Sequence, residues 1–257
     1  MAGRFGGRRV FITGAGGALG GAAARAFAAE GARLFLVDRA HEALAATVAD
    51  LGPAAVGSAA VDITSESAVA EAVAQADKAL GGLDIVVNAA GIVGPAGPMI
   101  ACSIEDWQAL FAVNVTGTFL VCKHAIPVLR RGGGGAVVNY ASTAGMAGDD
   151  TLGPYSASKG AVVLMTRSLA KNHAAEGIRV NCVCPGSIAS PMLENCFAME
   201  AALGSDPAVV QSRYLAGHPA GRFGLPAEVA AAVLFLASDE AAFIAGAALP
   251  VDGAALA

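Results

Sequence analysis

Short apolar runs recur along the chain at residues 9–13, 33–38, 54–61, 83–88, 136–141, 178–184 and 248–251. Their apolar cores are continuous rather than alternating, the mark of strands buried on both faces as in a parallel sheet. Between them lie longer segments with helical spacing. The first follows the glycines at 14–20 and runs to Glu30, closed by Gly31; the second covers 41–51 and stops at Gly52-Pro53. A third is capped by Ser65 and reaches Leu80, where Gly81-Gly82 breaks it; others cover 104–131 and 155–176, and a last one starts at Pro226. Strand and helix alternate throughout. That pattern predicts an α/β fold: a doubly wound, Rossmann-like, seven-stranded parallel sheet with helices on both faces, in a single domain over 1–257. Only residues 190–215 break the rhythm. They read as a connecting segment too apolar to be idle (Met192, Leu193, Phe197, Met199 and Leu203), and with residues 93–99 they are expected to form the wall of a substrate pocket.

Composition adds limits. The chain has 257 residues, 55% of them apolar and only 14% charged. That is ample for a core and sparse for the surface of a monomer, so subunit contacts are expected. The two long helices, apolar on more than one face, point the same way. A net charge of −5 with no basic tract argues against nucleic acid as a partner. The charged start has no apolar run behind it that would make a signal peptide, and the apolar stretches near Val229 and Ala241 are too short to span a bilayer. A soluble, cytoplasmic protein without a membrane partner is the expectation. The five cysteines fit no zinc spacing, and Cys182 and Cys184 read as buried small hydrophobes, so no metal site is expected.

The chemistry gathers at the strand ends. Gly14-Ala15-Gly16-Gly17-Ala18-Leu19-Gly20 lies between the first strand and the first helix, the context in which glycines let backbone approach a pyrophosphate at a helix N-terminus. The common Gly-x-Gly-x-x-Gly spacing is not met, because Leu19 stands at its third glycine. Asp38 ends the second strand, where a carboxylate bonds the ribose of NAD and repels the extra phosphate of NADP; the adjacent Arg39 works against that preference. Asp62, Asn88, Ser142 and Pro185-Gly186 stand at other strand ends, so all face one edge of the sheet. Tyr155 and Lys159, four residues apart, share a helix face. A nearby ammonium favours the phenolate, so the pair can serve proton transfer to or from an alcohol or ketone. Ser142 could hold the same substrate oxygen.

Taken together, Thr13-Gly14 through Gly20, Asp62, Asn88-Ala89-Ala90-Gly91, Asn114, Ser142, Tyr155 with Lys159, and Pro185-Gly186 resemble the short-chain dehydrogenase/reductase family over essentially the whole chain. The resemblance implies Tyr155 as general acid/base, Ser142 holding the substrate oxygen, and Lys159 lowering the Tyr155 pKa and binding the nicotinamide ribose. It implies Asn114 in a proton relay through water. Gly14, Ala18, Leu19 and Gly20 would line the cofactor phosphates. Asp62 with Ile63 would meet the adenine end, Asn88, Ala89 and Gly91 the adenosine ribose, and Pro185, Gly186, Ile188 and Ser190 the nicotinamide. Two positions depart from the family pattern: Ala18 stands for a glycine and Ser190 for a threonine. The implied activity is NAD(H)-dependent interconversion of a secondary alcohol and a ketone, NADP being the weaker choice, in a homotetramer. No Arg or Lys is placed to hold a carboxylate, so the substrate is expected to be uncharged, cyclic or aromatic included. Competing readings are an NADPH-dependent 3-oxoacyl thioester reductase, which Asp38 opposes, a non-catalytic dinucleotide sensor or scaffold, which the intact Ser142, Tyr155 and Lys159 oppose, and a dehalogenase, whose relatives carry Arg where Lys159 stands.

Overall fold

A computed structural model describes residues 3–257. Among these, β1 (Arg9–Thr13), β2 (Arg33–Asp38), β3 (Ala55–Ala60), β4 (Ile85–Asn88), β5 (Gly135–Tyr140), β6 (Ile178–Pro185) and β7 (Ala248–Val251) form one sheet in the order β3-β2-β1-β4-β5-β6-β7. Every pairing is parallel. Chain direction across the sheet reverses between β1 and β4, and their registered ends Thr13 and Asn88 open the crevice where such sheets bind ligands. The Rossmann-like fold is as expected. The edge strands β3 and β7 are the exceptions to continuous burial: β3 alternates half-buried and exposed and β7 is half-buried, because each has only one neighbouring strand.

One face of the sheet is covered by α1 (Ala18–Ala29) and α9 (Pro226–Ala237), whose Ala24, Phe27, Val229 and Val233 pack on Val10, Ile12 and Val138. The other is covered by α3 (Glu66–Leu80), α5 (Thr118–Arg131) and α6 (Gly153–His173). Fully burying one such Phe or Val is worth about 1.5–3 kcal/mol, so the two layers fix the sheet that carries the site. Ser65 caps α3 as expected, accepting from the Ala68 N–H, and α2 (His41–Leu51) stops at Gly52.

Two elements differ from the sequence reading. The helix expected over 104–131 is α4 (Ile104–Phe111), a π-helical turn Ala112–Gly117, and then α5. Wide turns of this kind concentrate at functional sites, and this one carries Asn114. By length and composition the stretch could cross a bilayer, but here Leu110, Leu120, Val121 and Ala125 are core residues of the domain. The second difference is residues 190–215. They are no loop but two helices, α7 (Pro191–Ala202) and α8 (Pro207–Ala216), each opened by a proline and capped by Ser190 and Asp206 respectively. A proline at the first helical position costs nothing, since that N–H has no helical partner.

Candidate active site

The glycine loop is shaped by close approach. Gly14 has φ +68°, and a Cβ there would lie 2.6 Å from the Ala90 nitrogen. A Cβ on Gly20 would fall on the Gly14 carbonyl. Thr47 pins the loop from below by donating to the Ala15 carbonyl at 3.1 Å. No side chain caps α1 at Gly17, so its first-turn N–H groups are left for a ligand. The resulting cleft of about 460 Å3 is lined by Gly14, Ala18, Leu19 and Gly20 on one side and by Ala89 and Gly91 on the other. Asp38, Asp62 and Ile63 close its far end. Asp38 is braced there: its carboxylate accepts the Gly16 N–H at 2.9 Å and the Ala40 N–H at 2.8 Å. Asp62 accepts both the N–H and the hydroxyl of Thr64, which hold its carboxyl below the usual range, with Arg39 adding a weaker pull.

Asn88 is not on this wall. It is 3% exposed and donates to Asn139 Oδ1 at 2.9 Å, while Asn139 donates to Thr166 at 2.9 Å. The chain of amides ties β4, β5 and α6 together under the cleft. The Asn88 Nδ2 is spent on its neighbour strand, while its Oδ1 is buried without a partner among the described residues.

A second chamber of about 160 Å3 opens from the first and shares Leu19, Ala89, Gly91, Ser190 and Met192 with it. Ser142, Tyr155 and Lys159 all face this chamber, with Pro185, Gly186 and Ile188 beside them. Lys159 is 5% exposed, donates to the Tyr140 carbonyl at 2.8 Å, and lies 5.7 Å from the centre of the Tyr155 ring. Burial pulls its pKa down to about 8. Burial pushes the Tyr155 phenol up from its ordinary value, and the Ser142 hydroxyl in the same chamber draws it partly back. Burial is the leading influence on the phenol in this structure, and the Lys159 amine beside it donates to a backbone carbonyl.

Asn114 sits behind the pair. The π turn aims its amide at Ile92, which it bonds at both N–H and carbonyl (2.9 Å each), and at Ser158 at 3.0 Å. A Cβ on Gly91 would be 3.2 Å from Asn114 Oδ1 and 3.3 Å from Lys159 Nζ, so this glycine is where the two approach. Ser190 uses its hydroxyl to cap α7 and bonds the Ile188 carbonyl at 2.9 Å.

The chamber also contains residues that the sequence pattern did not single out: Asp149, Leu152, Cys196 and Tyr214. Of residues 93–99 only Val93 reaches it, and of the expected apolar wall only Met192 and Leu193 do. His218 was likewise not foreseen. It is 8% exposed, its Nε2 accepts the Ser187 N–H at 2.9 Å and its Nδ1 donates to the Tyr214 carbonyl at 2.8 Å, which joins α8 to the Pro185-Gly186 turn. Nothing local in the sequence marks it, because its partners are backbone groups.

The arrangement offers a backbone cradle for a dinucleotide next to a hydroxyl, a phenol and an amine able to handle one proton. Comparison with known proteins agrees. A family described as "Enoyl-(Acyl carrier protein) reductase" matches residues 14–254. The chain is 43% identical to the "Inactive 2-(S)-hydroxypropyl-CoM dehydrogenase 2" of Xanthobacter autotrophicus, over 90% of this chain and 97% of that one. It is 38% identical to the meso-2,3-butanediol dehydrogenase of Serratia marcescens, over 99% and 96% respectively. Among solved structures, NAD+-bound xylitol dehydrogenase superposes with a TM-score of 0.93 at 33% identity, covering 96% of this chain and 98% of that one.

Proposed function

The chain belongs to the short-chain dehydrogenase/reductase family, and on that premise we propose that it uses NAD(H) in preference to NADP(H), with Tyr155, Ser142 and Lys159 as its catalytic residues. It is an oxidoreductase that interconverts secondary alcohols and ketones with a nicotinamide dinucleotide. The observation that carries the assignment of roles is the continuity of the two chambers: the glycine-loop cleft opens directly onto Ser142, Tyr155 and Lys159.

The dinucleotide, when bound, supplies the hydride acceptor for the alcohol or the hydride donor for the ketone. The protein does the rest. The unblocked turn of α1 and the close-packed Gly14 and Gly20 hold the phosphates, Asp62 and Ile63 the adenine end, and Ala89 and Gly91 the adenosine ribose. Pro185, Gly186, Ile188 and Ser190 shape the nicotinamide end. Ser142 donates to the substrate oxygen, Tyr155 removes the hydroxyl proton during oxidation or returns it during reduction, and Lys159 supplies positive charge beside the phenol. Asn114 positions the Lys159 end of the site.

Support for NAD comes from the Asp38 carboxylate, fixed by two backbone N–H groups at the end of the cleft where a 2′-phosphate would stand. Replacing Asp38 by Ala removes that repulsion. The ratio of kcat/KM for NAD over NADP is expected to fall by about 10- to 100-fold; an unchanged ratio in Asp38→Ala contradicts the reading. We assign an uncharged substrate, because Arg213, next to the chamber residue Tyr214, is already paired with Glu200, and Lys159, the cation that lines the chamber, sits beside the Tyr155 ring and donates to the Tyr140 carbonyl. Two similar proteins are named for compounds with several hydroxyls, meso-2,3-butanediol and xylitol. The exposed apolar side chains Phe119, Leu164 and Phe243 favour contact with further copies of the chain, which completes the reading as a cytoplasmic homotetramer.

A further inference from the structure

Asp149 stands half-buried on the wall of the catalytic chamber with no ion-pair partner among the described residues, and the fold uses only one of its oxygens. Its Oδ1 accepts the Thr151 N–H at 2.9 Å, the Thr151 hydroxyl at 3.0 Å and the Leu152 N–H at 2.7 Å. Those bonds fix the entry to α6, the helix of Tyr155 and Lys159. Its Oδ2 receives no hydrogen bond among the described residues, and the residue faces the same chamber as Ser142 and Tyr155. Its charge acts inside the chamber: after burial, it is the next influence raising the Cys196 thiol, to about 11, and it also raises the Tyr214 phenol.

No cation pairs with that carboxylate among the described residues. Glu200, 2% exposed, takes up Arg213, the Tyr214 hydroxyl at 2.6 Å and the Thr151 hydroxyl at 3.2 Å. Lys159, the cation that lines the chamber, keeps its charge beside the Tyr155 ring, where it donates to the Tyr140 carbonyl, and forms no ion pair with Asp149. A substrate carrying its own anionic group would therefore meet a carboxylate with no paired counter-charge to offset it. A substrate with a second hydroxyl would offer a donor to an oxygen that no protein group bonds.

We propose that Asp149 is a specificity-determining residue whose Oδ2 accepts a hydrogen bond from a second hydroxyl of the substrate, so that the enzyme selects diols and the matching hydroxy ketones over mono-alcohols and rejects keto acids. The proposal rests on the alcohol/ketone activity and names the substrate class within it. A bond to a charged acceptor discriminates against the analogue without the donor by roughly 10- to 100-fold.

The test compares wild type with Asp149→Asn at full length. Asn keeps an oxygen for the three bonds that fix α6 and removes the charge. Initial rates of reduction are measured with 3-hydroxy-2-butanone against 2-butanone, 2-hydroxycyclohexanone against cyclohexanone, and 3-oxobutanoate, each with NADH and with NADPH, together with cofactor affinity and Tm of both proteins. Wild type is expected to prefer each hydroxy ketone by about 10- to 100-fold in kcat/KM. The variant is expected to lose that preference and to gain about tenfold on the keto acid, with cofactor affinity unchanged. Identical preferences in the two proteins, or a wild type that takes the keto acid as readily as the hydroxy ketone, overturn the role of Asp149. A wild type that binds dinucleotide yet reduces none of the ketones overturns the activity itself, a failure recognisable because it abolishes turnover rather than the ratio.

Discussion

The two chambers of this cleft are built from different materials. The dinucleotide chamber is made of backbone: glycines packed against carbonyls, a bare helix N-terminus, and a carboxylate whose oxygens bond N–H groups. The catalytic chamber is made of side chains drawn from β5, α6, α7, α8 and the turn after β6. Backbone construction gives binding that depends on shape and tolerates little change of residue. Side-chain construction allows chemistry and selectivity to change one residue at a time. The comparison teaches where each function can be broken separately.

The largest separation is expected at Tyr155. Tyr155→Phe removes the proton-transferring hydroxyl and leaves the first chamber intact. Turnover should fall by about 10²- to 10⁴-fold, while dinucleotide affinity, measured by fluorescence titration, stays within a few-fold of wild type. The mirror image is Gly20→Val. Its Cβ would collide with the Gly14 carbonyl. Cofactor Kd should rise by about 100-fold or more, since a loss of roughly 3 kcal/mol of binding corresponds to that factor. Calorimetric titration checks it; near-normal affinity would mean the loop is not the cradle.

The smallest effect sharpens the boundary between the chambers. His218→Phe strips the Ser187 N–H of its acceptor. An unpaired buried N–H costs about 1–3 kcal/mol, to be read from denaturant unfolding, and the KM for dinucleotide should rise more than kcat falls. An unchanged unfolding midpoint would show that the α8 anchor is dispensable.

Legibility followed the same division. The glycine loop, Asp38, Asp62 and the seven-stranded parallel sheet could be read because they are local: a strand, a turn and a helix in sequence, repeated. Tyr155 and Lys159 could be read because four residues on a helix share a face. Asp149, Cys196, Tyr214 and His218 could not, because each acts only once distant elements are packed. Asn88 shows the opposite failure: a strand-end position that matches a pattern, with its amide turned inward to Asn139. The helical character of 190–215 was obscured by its prolines, Pro191 and Pro207, which break a helix in the middle but start one at its first position. The π turn around Asn114 left no trace in apolar spacing, since one extra residue per turn shifts the pattern too little to see.

The central claim is that the Tyr155 phenol takes the alcohol's proton beside the Lys159 charge. Oxidation then needs the phenolate, which burial disfavours and a neighbouring positive charge favours, so the rate must rise with pH. The direct measurement is kcat for alcohol oxidation against pH in wild type and Lys159→Met. The account predicts a rate that climbs about tenfold per pH unit below its inflection, with the inflection displaced upward when the cation is removed. A flat profile in wild type, or the same inflection in both proteins, would contradict it.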